Sequence, residues 1–131
     1  MFEEFLVKEK QANRLSLTLK PIANKVAMLH GHCHQKAFDA LTPVQTVLGW
    51  IPELKVSLIE SSCCGMAGSF GYEAEHYNTS LAMAELNLLP AVRKRPAEAV
   101  VVADGTSCRH QIKDGAQTEA IHCAKLLVMA L

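Results

Sequence analysis

The sequence has no excess of charge of either sign, since thirteen Lys and Arg are balanced by thirteen Asp and Glu. Its basic residues form no run longer than Arg93-Lys94-Arg95, so the electrostatic footprint of a DNA- or RNA-binding surface is missing and nucleic acid is not an expected partner. No apolar stretch approaches the roughly 18 residues of a membrane span, and no secretory leader pattern opens the chain. Internal repeats and low-complexity segments are absent as well. With 131 residues, half of them hydrophobic, the chain has the size of one compact domain able to bury a core. Its five cysteines cannot all pair with one another. The expected compartment is the reducing cytoplasm, with attachment to the periphery of the inner membrane left open. There, clustered cysteines hold metal or do redox work more often than they form structural disulfides.

Phe2-Glu3-Glu4-Phe5-Leu6 is amphipathic, polar residues follow from Lys8 to Asn13, and Pro21 marks a break. This pattern predicts a helical connector over 1–20, leading from something upstream, and a cysteine-rich domain over 21–131. Short apolar runs at 25–30, 55–60 and 99–103 read as strands, with a possible fourth at 120–122. The run at 55–60 does not alternate, which predicts burial on both faces.

Helical spacing between the strands supplies the other elements. Phe38, Leu41, Val44 and Leu48 lie on one stripe, but Thr42 as a cap, Pro43 at the first helical position and Gln45 reaching back divide it into two short helices, stopped by Gly49 and Pro52. Ala74, Tyr77, Leu81, Ala84 and Leu88 predict one helix ending near Leu89, before Pro90. Thr106 or Ser107 would cap a further helix through Ile112 that Gly115 terminates. Leu126, Leu127, Ala130 and Leu131 mark a last helix. Strands alternating with helices predict an α/β fold with a small parallel, or mostly parallel, sheet of about four strands.

In such sheets ligands bind off the carboxyl ends of the strands. Cys33, Cys63, Cys64 and Cys108 all fall just past a strand end, so four thiols from three loops should meet at one edge. Cys64 and Cys108 are each expected at the first turn of a helix, which lowers a thiol pKa. Four thiolates satisfy a tetrahedral zinc ion or an iron–sulfur cluster. Gly65, Gly68 and Gly71 would let backbone approach a cluster and offer N–H groups to its sulfurs. Each cysteine taken alone would read as a small buried apolar residue. Cys123, on the stripe of the last helix, does read that way.

His30, His32 and His34 flank Cys33 and in extended chain would share a face. They could complete a zinc site, donate hydrogen bonds to the sulfurs or line the pocket. His110, two residues past Cys108, could donate to a sulfur or face solvent. The glycine spacing after Cys64 resembles a phosphate-cradling loop, but no lysine or acidic ribose partner stands at the proper offset.

The strings HGHCHQKAF at 30–38, ESSCCGMAGSFGYEAEHY at 60–77 and VVADGTSCRHQI at 101–112 resemble the cysteine-rich CCG domain. That domain is found in the iron–sulfur subunit of glycolate oxidase, in heterodisulfide reductase and at the C-terminus of FAD-linked oxidases of the D-lactate or D-2-hydroxyglutarate dehydrogenase type. The resemblance runs from about Lys25 to the end. It implies Cys33 in the family's lone position, Cys63 and Cys64 in its pair, Gly65 after them, and Cys108 as the first of a final Cys-x-x-Cys. Gln111 stands where the second cysteine of that motif belongs, which leaves four thiols rather than five. His32, His34, His110 and Gln111 become hydrogen-bonding neighbours of the site.

The resemblance also implies a C-terminal electron-transfer module, with an iron–sulfur cluster or alternatively zinc. Upstream FAD-binding and ferredoxin-like domains and an electron acceptor would be its partners, and FAD would sit in those domains. A structural zinc module and a thiol–disulfide module, with Cys63 attacking and Cys64 or Cys33 resolving, are the competing expectations. No FAD motif and no convincing general base are visible, so turnover by this chain alone is not expected.

Overall fold

The strands form where apolar runs are short and rich in β-branched residues. In the computed structural model, which describes all residues from Met1 to Leu131, β1 is Val26–His30, β2 Lys55–Leu58, β3 Ala99–Ala103 and β4 Ala120–Ile121. The helices are α1 Phe2–Gln11, α2 Cys33–Ala37, α3 Leu41–Leu48, α4 Tyr77–Glu85, α5 Leu88–Arg93, α6 Thr106–Ala116 and α7 Cys123–Met129. The four strands lie in the order β2-β1-β3-β4 and every pair is parallel, as the alternation of elements predicts.

The sheet is covered on both faces, and side chains of adjacent strand residues divide between them. Ala27 and Leu29 of β1 and Val102 of β3 pack with Leu6 of α1, Val44, Val47 and Leu48 of α3, and Leu126 of α7. Val101 and Ala103 face the other way, against Leu88 and Val92 of α5 and Ile112 of α6, with α4 packed on α5 and α6. Residues 2–11, expected within a connector, are therefore a helix seated on the same core as the sheet, through Leu6.

This arrangement fixes where a ligand can sit. Because parallel crossovers are right-handed, the chain leaves β1 toward α3 on one face and leaves β3 into α6 on the other. The carboxyl ends of β1 and β3 are neighbours, His30 pairing with Ala103. The crevice where the two connections diverge is the place at which open α/β sheets bind ligands.

Several local expectations are corrected. β2 is an edge strand whose residues are half-buried or exposed, Leu58 among the exposed, so its lack of strict alternation does not mean burial on both faces. Thr42 does not cap α3: Ala40 precedes it, with no side-chain cap bond. Pro43 is tolerated two positions deeper in the first turn, where backbone N–H groups lack intrahelical partners anyway. Phe38 lies off the core stripe, 77% exposed. The single helix expected from Ala74 to Leu89 is a 3₁₀ turn, Ala74–His76, followed by α4 and α5. The chain breaks at Asn87, whose φ and ψ are not helical, and Pro90 opens the second helix instead of ending the first. Neither Thr106 nor Ser107 caps α6, which begins after Gly105 and ends at Gln117 in the left-handed region, φ 51°. Gly115 lies inside that helix because Leu89 leaves no room there: a Cβ would come within 2.4 Å of the leucine side chain.

Candidate metal centre

The thiols are delivered by three loops at the carboxyl edge of the sheet. Cys33 is the first residue of α2, after His32. Cys63 and Cys64 lie in the irregular segment between β2 and the 3₁₀ turn Phe70–Tyr72, and Cys108 is in the first turn of α6. Only Cys108 has the helix position expected of it. No helix starts at Cys64, because Gly65 (φ 86°), Ala67 (φ 42°) and Gly68 (φ 69°) turn the chain through left-handed conformations.

Gly65 is required on two counts. Its φ is one that L residues rarely adopt, and a Cβ there would lie 2.1 Å from the backbone oxygen of Ser80 in α4. Its N–H donates to Cys63 Sγ at 3.2 Å, so this glycine offers backbone hydrogen to a sulfur. Its close approach, however, is to α4 and not to the open side of the site.

Cys64 and Cys108 are both buried, and Cys108 Sγ donates to Cys64 Sγ at 3.2 Å. Beside them His30, 1% exposed, bonds through Nδ1 to Ser61 Oγ at 2.8 Å, while its Nε2 is buried with no partner. One ligand atom from each of His30, Cys64 and Cys108 lies within 4.8 Å of the others. A buried ring nitrogen without a partner is costly, and the His30 ring has two sulfurs as neighbours. The Cys64 thiol is pulled down to about 4 by the Cys108 hydrogen bond, with His30 and the Met66 backbone helping against burial. Cys108 is pushed up by the same bond and by burial. Of the pair, Cys64 is thus the thiol favoured to ionise, and thiolate is the form that ligates metal and attacks disulfides.

Cys33 and Cys63 form the outer part of the edge. Cys33 is exposed and Cys63 half-buried, and the Cys33 thiol interacts with that of Cys63. Lys36 of α2 bonds to the carbonyls of Ser61 and Ser62, tying the two loops together.

The three histidines do not share a face, because the chain turns into α2 at His32. His32 accepts the His34 N–H at 3.2 Å as a cap, and His34 is exposed at the rim. His110 Nδ1 is paired with the Tyr72 hydroxyl at 2.7 Å. Gln111 is buried, and its Nε2 donates to Cys64 O at 2.9 Å, Ser80 O at 3.1 Å and Ser80 Oγ at 3.0 Å. The residue in place of a fifth cysteine therefore clamps the Cys64 loop onto α4. Gln111→Ala leaves two buried carbonyls without this donor and should cost about 1–3 kcal/mol, read as a lower urea midpoint for the reduced, metal-free protein; an unchanged midpoint would show that the clamp is idle.

Sequence reasoning missed the next ring of contacts. Gln35 Oε1 accepts the His32 N–H at 2.9 Å, and its Nε2 donates to Asp104 Oδ2 at 2.7 Å. Gly105 separates His32 from Cys108: a Cβ there would lie 2.6 Å from His32 Cδ2 and 2.9 Å from Cys108 Sγ. Asp104 sits one residue past β3, a position that in this sheet class could have flagged it.

Fold and site together define a cysteine-rich parallel α/β domain with a candidate metal centre at its switch point. Comparison with known proteins finds relatives among dehydrogenases. The chain is 33% identical over 116 residues to one subunit, lettered C, of the anaerobic glycerol-3-phosphate dehydrogenase of Escherichia coli (strain K12), an alignment covering 88% of this chain and 28% of that protein. It is 35% identical over 74 residues to the D-2-hydroxyglutarate dehydrogenase of the same strain, covering 56% of this chain and 7% of the relative. With the enzyme of that name from Pantoea ananatis (strain AJ13355) it shares 39% identity over 59 residues, 45% of this chain and 6% of the relative. No family model and no solved structure matches. The chain thus spans little more than a quarter of the glycerol-3-phosphate relative and less of the other two, and no helix is long and apolar enough to cross a membrane.

Proposed function

We propose that this chain is the metal-binding electron-transfer module of an FAD-linked dehydrogenase, with Cys33, Cys63, Cys64 and Cys108 as ligands of an iron–sulfur cluster. The observation that carries it is the buried Cys64–Cys108 contact at 3.2 Å, made between the loop after β2 and the first turn of α6. Four thiols in reach of one crevice, with the Cys64 thiol lowered, are the donor set such clusters take. A bound cluster would supply one-electron transfer. The chain's own residues would hold it: Gly65 through its N–H on Cys63, Gln111 by fixing the Cys64 loop, and the apolar wall of Met66 and Ile112 by excluding water.

The unpartnered His30 Nε2 favours a second reading, a zinc ion on His30, Cys64 and Cys108. Two Zn–S bonds of about 2.3 Å at a tetrahedral angle hold sulfurs roughly 3.8 Å apart, a small opening of the present pair, whereas a cluster needs a wider one. In a thiol-exchange reading Cys63 would be the attacking sulfur, being the more accessible of the adjacent pair, with the lowered Cys64 thiol behind it.

The proposed domain division keeps 1–20 as the connector and 21–131 as the cysteine-rich domain. FAD-binding and ferredoxin-like domains, in the same or a partner chain, would deliver electrons and an acceptor would take them. A D-2-hydroxy acid is the proposed substrate class of the whole assembly, supported by the hydroxyglutarate relatives; the glycerol-3-phosphate relative widens that class. The proposed compartment is the cytoplasm or the periphery of the inner membrane, and five free cysteines suit a reducing one. Iron, acid-labile sulfide and zinc measured on anaerobically purified, reconstituted protein test the site. Iron and sulfide in near-equal amounts are expected, zinc alone would select the second reading, and neither metal would overturn both.

A further inference from the structure

A second cluster of donors lies on the other side of Gly105, outside the thiol edge. Glu3 of α1, Asp104 after β3, and His122 and Cys123 at the start of α7 bring one ligand atom each within 4.8 Å of one another. Glu3 and Cys123 are buried, and the Asp104 side chain is 11% exposed. A polar cavity of about 300 Å³ opens above them, lined also by His32, His34 and Gln35.

The charges here are unbalanced. No Lys or Arg forms an ion pair with either the Glu3 or the Asp104 carboxylate. Cys123 Sγ–H donates to Glu3 Oε1 at 2.8 Å, so the thiol rather than a cation faces this carboxylate. Buried carboxylates without a counter-charge are costly. The Asp104 carboxylate is already aimed, with Oδ1 accepting the Cys123 N–H at 2.9 Å and Oδ2 held by Gln35. His122 Nδ1 is 3.6 Å from both Asp104 Oδ1 and Cys123 Sγ; it also accepts the Ala124 N–H at 3.1 Å, a bond an ion would replace.

We propose that Glu3, Asp104, His122 and Cys123 form a second metal site, taking a divalent cation such as zinc, that fastens α1 to the carboxyl edge of the sheet. Two oxygens, one imidazole nitrogen and one sulfur make a four-donor set of the kind zinc accepts, and four protein ligands close the coordination as in structural sites. The donors come from the two ends of the chain and from the loop after β3, so an occupied site would reinforce the hydrogen bonds that Cys123 already makes to Glu3 and Asp104. Binding should displace the Cys123 proton, as thiolate is the ligating form.

Zinc titration into the reduced, metal-free full chain tests this, using the parent, Glu3→Gln, His122→Asn and Cys64→Ser. Asparagine retains a capping acceptor for α7, and the His122 side chain is 40% exposed, so that variant should fold even if Glu3→Gln does not. The parent should bind one zinc more than Glu3→Gln, and His122→Asn should bind that zinc at least about tenfold more weakly. Zinc should raise the parent's melting temperature and slow proteolysis within α1, and both effects should persist in Cys64→Ser, which separates this site from the thiol edge. Equal stoichiometry in the parent and a folded Glu3→Gln, or equal zinc affinity in the parent and His122→Asn, would overturn the proposal. A Cys64→Ser melt that zinc does not move would also overturn it, leaving the hydrogen bond from Cys123 to Glu3 as all that joins the two.

Discussion

Cys64→Ser is expected to bring the metal content of the thiol edge in anaerobically prepared protein to background, weakening affinity there by more than about a hundredfold. Cys64 is at the centre of the candidate site: it accepts from Cys108, has His30 beside it, and is the thiol whose pKa that hydrogen bond lowers. Serine keeps the volume and a hydrogen bond but not a thiolate. Loss of a partner outside the coordination sphere alone costs about 10–100-fold, so loss of the central ligand should cost more. The thermal signature follows, because metal-binding energy is coupled to folding. Iron and sulfide reconstitution should raise the melting temperature of the parent and leave that of the variant where it was. Iron and sulfide content equal to the parent's would sink the site and leave Cys64 and Cys108 as packed thiols.

Cys33→Ser divides the two readings of the same site. Cys33 is exposed at the outer rim and is not part of the His30, Cys64, Cys108 group. A zinc ion on that trio should survive the change, whereas a cluster that uses four thiols should not.

The layout of the site was legible because it follows from topology. Strand-like runs followed by cysteines, in an alternating α/β pattern, place Cys33, Cys63, Cys64 and Cys108 at one edge whatever the details of packing. The pairing within that edge was not legible. Adjacent Cys63 and Cys64 read as a unit, yet the left-handed turn at Gly65 sends Cys64 inward to Cys108 and leaves Cys63 half-buried. His30 was visible only as one of three alternating histidines, an alternation that ends when His32 begins α2. Its distinction is that it is still on β1 and faces the sulfurs. Helix boundaries failed where a proline had two meanings: Pro43 and Pro90 both fit a first turn, and only the break at Asn87 shows which side of Pro90 is helical. Glu3 and Asp104 gave no periodic signal, since one lies on a helix that looked like a connector and the other in a strand-end turn, and the sheet brings them together.

Gly65→Ala should be the most damaging change of a single methyl group in the chain, destabilising the reduced, metal-free protein by about 3 kcal/mol or more. Two costs add. An alanine held at φ 86° carries backbone strain of about 1–3 kcal/mol, and its Cβ would meet the Ser80 carbonyl oxygen at 2.1 Å. That oxygen cannot move freely, because Ser80 belongs to α4 and is also held by Gln111. Overpacking of this kind costs about 1–3 kcal/mol more. Relief would require the Cys64 loop to lift from α4, which takes Cys64 away from Cys108 and removes the Gly65 N–H from Cys63. Gly68→Ala is the control: its φ is 69°, also left-handed, but nothing lies within 4 Å of the added Cβ. It should show the strain alone and keep the metal site. Urea unfolding with metal stoichiometry on both variants reads the difference. Equal losses would mean that conformation, and not the contact with α4, is what Gly65 supplies.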